Sequence, residues 1–139
     1  MNWGRIIGGG LLAGLVMNIG EFVLHTQVLA QETVDLYKRV NIPMVEDGMA
    51  ILQLVLVTFA MGIAAVWTYA AIRPRFGAGP GTAVCAGLAV WFMAYVNASV
   101  YLHSGYLNIF TAKLAWLPTA WGLVEIPLAT VIGAWLYKE

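Results

Sequence analysis

Seven polar side chains in this 139-residue chain lie in or beside long apolar runs: Asn18, Glu21, His25, Gln53, Asn97, His103 and Glu125. Carboxylates and imidazoles in such a setting exchange protons, bind small cations, or hold neighbouring helices together by hydrogen bonds. Gly10, Gly14, Asn18, Glu21 and His25 are separated by four, four, three and four residues. At 100° per residue, all five fall within an arc of about 80° on one helical face. Near the C-terminus, Gly122, Glu125, Ala129 and Gly133 repeat the combination of small residues with a carboxylate. Small residues at this spacing let backbones approach closely, so Gly10, Gly14, Gly122, Ala129 and Gly133 read as helix-packing positions. The two stripes are expected to meet each other and to place Glu21 and Glu125 in protein instead of lipid. Structure alone accounts for the acids equally well: Glu21 protonated or bonded to His25 one turn later, and Glu125 bonded to Asn18 or Asn97. Pro127, two residues after Glu125, removes a backbone donor and opposes the carbonyl of Leu123, which predicts a bend beside the acid.

No metal site is expected. Glu21 and His25 are four residues apart, so the Glu-x-x-His spacing of di-iron bundles is absent. No cofactor is called for either, although His25 and His103 end two helices at similar height, the one arrangement that would suit the axial ligands of a haem. Enzyme signatures are missing: there is no Gly-x-Ser-x-Gly elbow, no phosphate-binding Gly-Lys-Ser/Thr loop and no His-Glu-x-x-His helix. Ser99 and Ser104 flank His103 without a recognisable acid or oxyanion partner. A non-enzymatic protein is expected.

The elements that carry these residues are membrane spans. Hydrophobic residues make up 61% of the chain and charged residues 10%, with a mean hydropathy of +0.80, outside ordinary soluble usage. Four apolar segments, about residues 6–28, 50–72, 82–102 and 117–137, are each near the ~20 residues that cross a hydrocarbon core. The expected fold is all-α: a single transmembrane domain over residues 1–139 of four helices arranged as two helical hairpins. The first segment is too long for a signal-peptide core, and its glycines stand at its start instead of in a cleavage site, so it reads as a permanent helix. The single cysteine, Cys85, falls inside the third segment and reads as a small buried packing residue. A formal net charge of zero leaves no basic surface for nucleic acid.

Arg5, Arg73, Arg75 and Lys138 fall on one side of such a bundle, and Lys38, Arg39 and Lys113 on the other. Arg73 and Arg75 occupy a very short connection without an acid, which favours the cytoplasm for that side and for both termini. Glu21, Asn97 and Glu125 then lie in the outer half, within roughly 10 Å of the midplane at 1.5 Å rise per residue. His25, Gln53 and His103 lie just above them. The inner half offers only weaker polar groups, such as Thr68, Cys85 and Thr130. A polar pocket opening outward is expected. Trp3, Trp67, Tyr69, Trp116, Trp135 and Tyr137 read as headgroup-level anchors.

Between the spans, Glu32 to Lys38 reads as a helical continuation of the first span, stopped by Asn41-Ile42-Pro43. Residues 104–116, with Tyr106, Leu107, Ile109, Phe110 and Leu114, read as an interfacial stretch. Arg73-Pro74-Arg75-Phe76-Gly77 reads as a tight turn. The halves share local patterns. Val23-Leu24-His25 parallels Tyr101-Leu102-His103, and Trp67-Thr68-Tyr69 parallels Trp135-Leu136-Tyr137. These make a candidate parallel tandem repeat about an axis along the membrane normal.

The segment Ala70-Ala71-Ile72-Arg73-Pro74-Arg75-Phe76-Gly77-Ala78-Gly79-Pro80 resembles an uncharacterised family of small bacterial four-span integral membrane proteins. So do Trp121-Gly122-Leu123-Val124-Glu125 and Gly133-Ala134-Trp135-Leu136-Tyr137-Lys138-Glu139. The resemblance covers about a quarter of the chain. It implies a location in the bacterial inner membrane and no particular activity.

Two functions remain open, the accessory role first because it asks fewer groups to be special and the carrier as its alternative. The small-residue stripes and two amphiphilic outer segments suit a structural or accessory subunit that binds other membrane subunits or its own copies. The outer-half carboxylates suit a small proton- or cation-coupled carrier or channel, which in a chain of 15.1 kDa would act as a homo-oligomer.

Overall fold

The computed structural model describes residues 1–44, 47–103 and 109–138, and every element among them is helical. Helix α1 (Trp3–Val23) starts where the Asn2 side chain accepts a hydrogen bond from the Arg5 amide at 3.2 Å, an N-cap that satisfies one otherwise orphaned donor. It runs into a π-helical turn, Leu24–Val28, and is followed by α2 (Ala30–Arg39). Helix α3 (Gly48–Phe76) is capped by Asp47, and α4 (Pro80–Trp91) opens with proline at its first position. A second π-helical turn, Phe92–Val96, joins α4 to α5 (Asn97–His103), and Thr111 caps α6 (Ala112–Trp135). Four stretches are long and apolar enough to cross a membrane: Trp3–Val28, Gly48–Phe76, Pro80–His103 and Ala112–Trp135, here called spans one to four.

Two local expectations change. Span one does not continue straight into α2. The Leu29 amide donates to the Leu24 carbonyl at 2.8 Å, and Leu29 leaves helical geometry before α2 begins. Leu24 and Leu29 are both buried. An α-helix would set residues five apart at about 140° to each other, whereas a turn closed by the i to i+5 bond returns them to one side. The second change is at Pro74, which sits inside α3; the helix carries Arg73 and Arg75 in its last turn and stops only at Gly77 (φ 86°). The connection to span three is therefore just Gly77–Gly79, with Gly79 also at positive φ (152°), a backbone shape that favours glycine. Helix α6 runs through Pro118 and Pro127. At the far end of α2, Asn41 (φ 53°) ends the helix next to Pro43, where the sequence places the stop. Of the second outer connection, Ser104, Tyr106 and Leu107 lie outside the described residues, as do Glu46 and Glu139.

Spans one and two form one antiparallel hairpin and spans three and four the other. Span one also packs on span four, span two on span three, and spans two and four touch across the middle. Exchanging the two hairpins leaves this pattern of neighbours unchanged. The interfaces are made of small residues. A methyl on Gly62 would run into the backbone of Gly10 and Gly14, one on Gly87 would meet the Pro127 Cα at 2.6 Å, and Gly9 and Gly133 face each other through their carbonyls. Large apolar side chains such as Leu15, Phe22, Leu54, Val57, Met93 and Val124 point outward. Small inside and large outside is the pattern of helices that pack by backbone approach in a medium as apolar as leucine. Hydroxyls within the spans are satisfied locally: Thr58, Thr68 and Thr130 donate to the carbonyls of Leu54, Ala64 and Ile126 at 2.9, 2.8 and 2.7 Å.

At the end of the bundle that carries Arg73, Tyr69 and Tyr137 are buried and meet edge to face at 6.0 Å. The Arg73 guanidinium lies 5.4 Å over the Tyr137 ring. These tyrosines are core residues and not headgroup anchors, whereas Trp3, Trp67, Trp116 and Trp135 are exposed. Cys85 is exposed on span three, so the expectation of a buried cysteine is also corrected: Ala83, Ala86 and Gly87 form the inward face there.

Candidate functional site

The carboxylates of spans one and four converge at the opposite end of the bundle, below α2. Glu21 stands in the last turn of α1, just before the π turn that carries His25. Its Oε2 lies 3.3 Å from His25 Nε2, and its Oε1 accepts a hydrogen bond from the Tyr95 hydroxyl on span three. The Tyr95 ring rests on Gly122, where an added methyl would touch it at 3.1 Å. Gly122 precedes Glu125 by three residues and so shares its helical face. Glu125 is only 8% exposed. Its Oε1 accepts from the Trp121 indole at 3.3 Å, and its Oε2 has no hydrogen-bond partner.

Gly20 makes this possible. A side chain there would occupy the space of the Glu125 carboxyl, with the Cδ at 2.8 Å from an added Cβ. The buried acid of span four is therefore seated against bare backbone of span one, next to Glu21. The two carboxylates are within electrostatic range of each other, and Tyr95 is within range of both. Among the described residues no lysine or arginine forms an ion pair with either; Lys113 pairs with Glu32 at 2.7 Å and Lys38 with Asp35 at 3.9 Å.

No protein-family model, curated protein or solved structure matches this chain.

The other sequence candidates lie apart from this pair. The Asn18 amide donates to the Gly14 carbonyl at 2.8 Å and reaches the Val55 carbonyl of span two at 3.5 Å, so it does not bond Glu125. Gln53 and Asn97 are exposed, and Asn97 therefore does not pair with Glu125 either. His103 is exposed and packs edge-on to Trp116 at 6.1 Å, while His25 is engaged by Glu21, so the two imidazoles have different partners. Gly10 and Gly14 face Ile63 and Phe59 of span two and not span four. The contact between spans one and four runs along the neighbouring face, through Gly9, Ala13 and Gly20 against Gly133 and Glu125. Ala129 is fully buried, and Gly122 packs on Tyr95 and Trp91 of span three.

Sequence reasoning passed over Tyr95, Trp121 and Gly20, because an aromatic or a glycine in an apolar helix reads as bulk or packing. The available signal was spacing: Trp121 precedes Glu125 by one helical turn, and Gly20 adjoins Glu21. A second polar contact was also missed. Ser99 donates to the Ala115 carbonyl at 2.7 Å and bonds the Thr119 hydroxyl, and the Trp91 indole donates to the Thr119 carbonyl at 2.8 Å. These bonds fasten span three to span four above the acids.

Chemically, the pair offers two carboxyl groups with a phenol and an indole each donating to one oxygen. Two like charges in a low-dielectric interior repel strongly unless a proton or cation is shared between them. Among the described residues no three His, Cys, Asp or Glu side chains converge as metal ligands would.

Proposed function

We propose that this chain is a non-enzymatic, multi-pass protein of the bacterial inner membrane in which Glu21 and Glu125 bind and release a proton or small cation, as part of a small ion-coupled carrier or channel. Both termini are cytoplasmic, and the carboxylate pair opens toward the outer side. The observation that carries this reading is the seat of Glu125: a buried carboxyl against the bare backbone of Gly20, one oxygen unpartnered, with Glu21 the next residue of span one and, among the described residues, no lysine or arginine paired with either acid. An ionisable side chain in a membrane span costs about 2.5–3.5 kcal/mol on insertion scales, so its retention calls for a role. With four spans in one chain, the active form is a homo-oligomer.

The test is ion flux in proteoliposomes under imposed proton, sodium or potassium gradients. The expected result is flux in the native protein, loss of that flux in Glu125→Gln and Glu21→Gln at unchanged oligomeric mass, and partial retention in Glu125→Asp, which keeps a titratable group.

A second reading, the accessory subunit, is favoured by span two, of which only 17% of the most apolar stretch is buried against 50% in span four. In that reading a partner subunit covers span two and the acids only pack. Native mass spectrometry after mild detergent extraction decides between them. Foreign membrane subunits held in fixed ratio, with silent glutamine substitutions, establish the accessory role.

A further inference from the structure

Among the described residues, exposure rises from Glu125 through Glu21 to His25. Glu125 is 8% exposed, the Glu21 side chain 21% and the His25 side chain 57%. Glu125 is seated against Gly20, the residue before Glu21, and Glu21 Oε2 lies 3.3 Å from His25 Nε2. Towards the Arg73 end the same face of span one is closed by Met17 and Ala13, both fully buried, with Ile126 and Ala129 of span four equally closed. The hydroxyls further down, Thr68 and Thr130, are occupied by their own helix carbonyls.

The donors around the pair decide which ion fits. Tyr95 directs its hydroxyl hydrogen at Glu21 Oε1 and Trp121 its indole hydrogen at Glu125 Oε1. Calcium takes six to eight oxygen ligands and magnesium six in octahedral array, and donor hydrogens aimed into the site occupy the lone pairs such an ion needs. A proton needs one lone pair, and Glu125 Oε2 provides it.

Resting on the carboxylate reading above, we propose that the ion is a proton and that His25 is the residue that passes it between the outer aqueous phase and the Glu21–Glu125 pair. The transfer balances at each atom. A hydronium ion of the outer phase gives a proton to His25 Nδ1 and is left as water, the imidazole releases the one on Nε2 to Glu21 Oε2, and the neutral ring of the opposite tautomer resets by exchanging protons with water. Glu21 passes the proton on to Glu125, and the reverse sequence returns it. Tyr95 is a positioning residue that holds Glu21 by its second oxygen. The charges near His25 fit this task. Glu21, on its own helix, is the acid within ion-pair distance, and of the acids on α2, Glu32 is taken by Lys113 and Asp35 by Gln31 and Lys38. The exposure of His25 at the end of span one leaves Nδ1 accessible.

The experiment measures proton flux in proteoliposomes for the native protein, His25→Ala, His25→Gln and Glu125→Gln, all checked for equal oligomeric mass, with and without imidazole added to the outer medium. Removing a positioned proton-transfer group costs on the order of a hundredfold in rate. His25→Ala and His25→Gln are therefore expected to slow flux by about tenfold or more, and external imidazole is expected to restore His25→Ala without affecting Glu125→Gln. A merely structural histidine would not be replaced by free imidazole. Native flux in both His25 variants, alongside loss of flux in Glu125→Gln, overturns the role of His25 and leaves the carboxylate site standing. Sodium or potassium flux with no proton flux overturns the identity of the ion. A native protein that passes no ion overturns both proposals.

Discussion

Glu125 has the least freedom of any ionisable residue in the candidate site, because its carboxyl occupies space that any other residue at position 20 would fill. Gly20→Ala is therefore expected to destabilise the bundle by about 1–3 kcal/mol, the range for an added group that a packed interior cannot absorb. Glu125→Asp, shorter by one methylene, retreats from the intruding methyl. Combined with Gly20→Ala it should recover part of that loss, as read by denaturant titration in detergent; a double variant no better than the single would show that the two residues do not share this space. The acids themselves were legible as spacing and burial, and so was the bond between Glu21 and His25. Their azimuth was not. Residues two apart on a helix point about 160° away from each other, so once Tyr95 faces inward, Asn97 faces out. Depth along the chain indicates which residues share a level of the bundle, and says nothing about which of them face one another.

At the scale of the helices, the spans were legible because hydropathy alone sets them, whereas their internal irregularities were not. The π turns at Leu24–Val28 and Phe92–Val96 shift the helical phase, and a strict 3.6-residue count carried past them assigns the wrong face. Both turns lie beside the acids: one carries His25 and the other Tyr95. Their placement agrees with the tendency of such turns to occur at functional sites. The small-residue stripes identified interfaces and misassigned one partner, since Gly10 and Gly14 serve span two. Cysteines at Ala13 and Gly133, whose Cβ positions approach to 2.9 Å, are expected to crosslink after a small adjustment. Gly14 paired with Ala129 is expected not to crosslink. Reversed yields in oxidised samples on denaturing gels would refute the assigned faces. The glycines also separate by role. A methyl on Gly62 meets the backbone of span one, whereas one on Gly8 meets nothing within 4 Å. Gly62→Ala should thus destabilise by about 1–3 kcal/mol, while Gly8→Ala should be neutral or stabilise by about 0.5–1 kcal/mol through helix propensity.

In the whole molecule, the exchange of hairpins that preserves every neighbour relation gives the candidate repeat a physical form. Spans two and four, the second members of each hairpin, touch across the centre, and Tyr69 meets Tyr137 there. These are the tyrosines of the matched Trp-Thr-Tyr and Trp-Leu-Tyr segments, as an axis along the bundle requires of equivalent residues near it. The axis does not extend to chemistry. Glu21 has no acidic counterpart on span three, and His103, which matches His25, packs on Trp116 and not on a carboxylate, so the site is an asymmetric addition to a symmetric frame. Which side of the membrane that site faces depends on the charges at the two ends. Arg73 and Arg75 close span two at one end, while at the other Lys113 and Lys38 are joined to Glu32 and Asp35. Lysine and arginine in short connections set orientation and acids contribute little, so the short, acid-free connection after Arg75 is expected on the cytoplasmic side and the paired lysines outside. Single cysteines at Lys38 and Lys113 are expected to react with a membrane-impermeant maleimide in intact cells, and one at Arg75 only after permeabilisation. The opposite labelling would turn the bundle over, place His25 at the cytoplasmic surface, and make the carboxylate pair exchange protons with the cell interior.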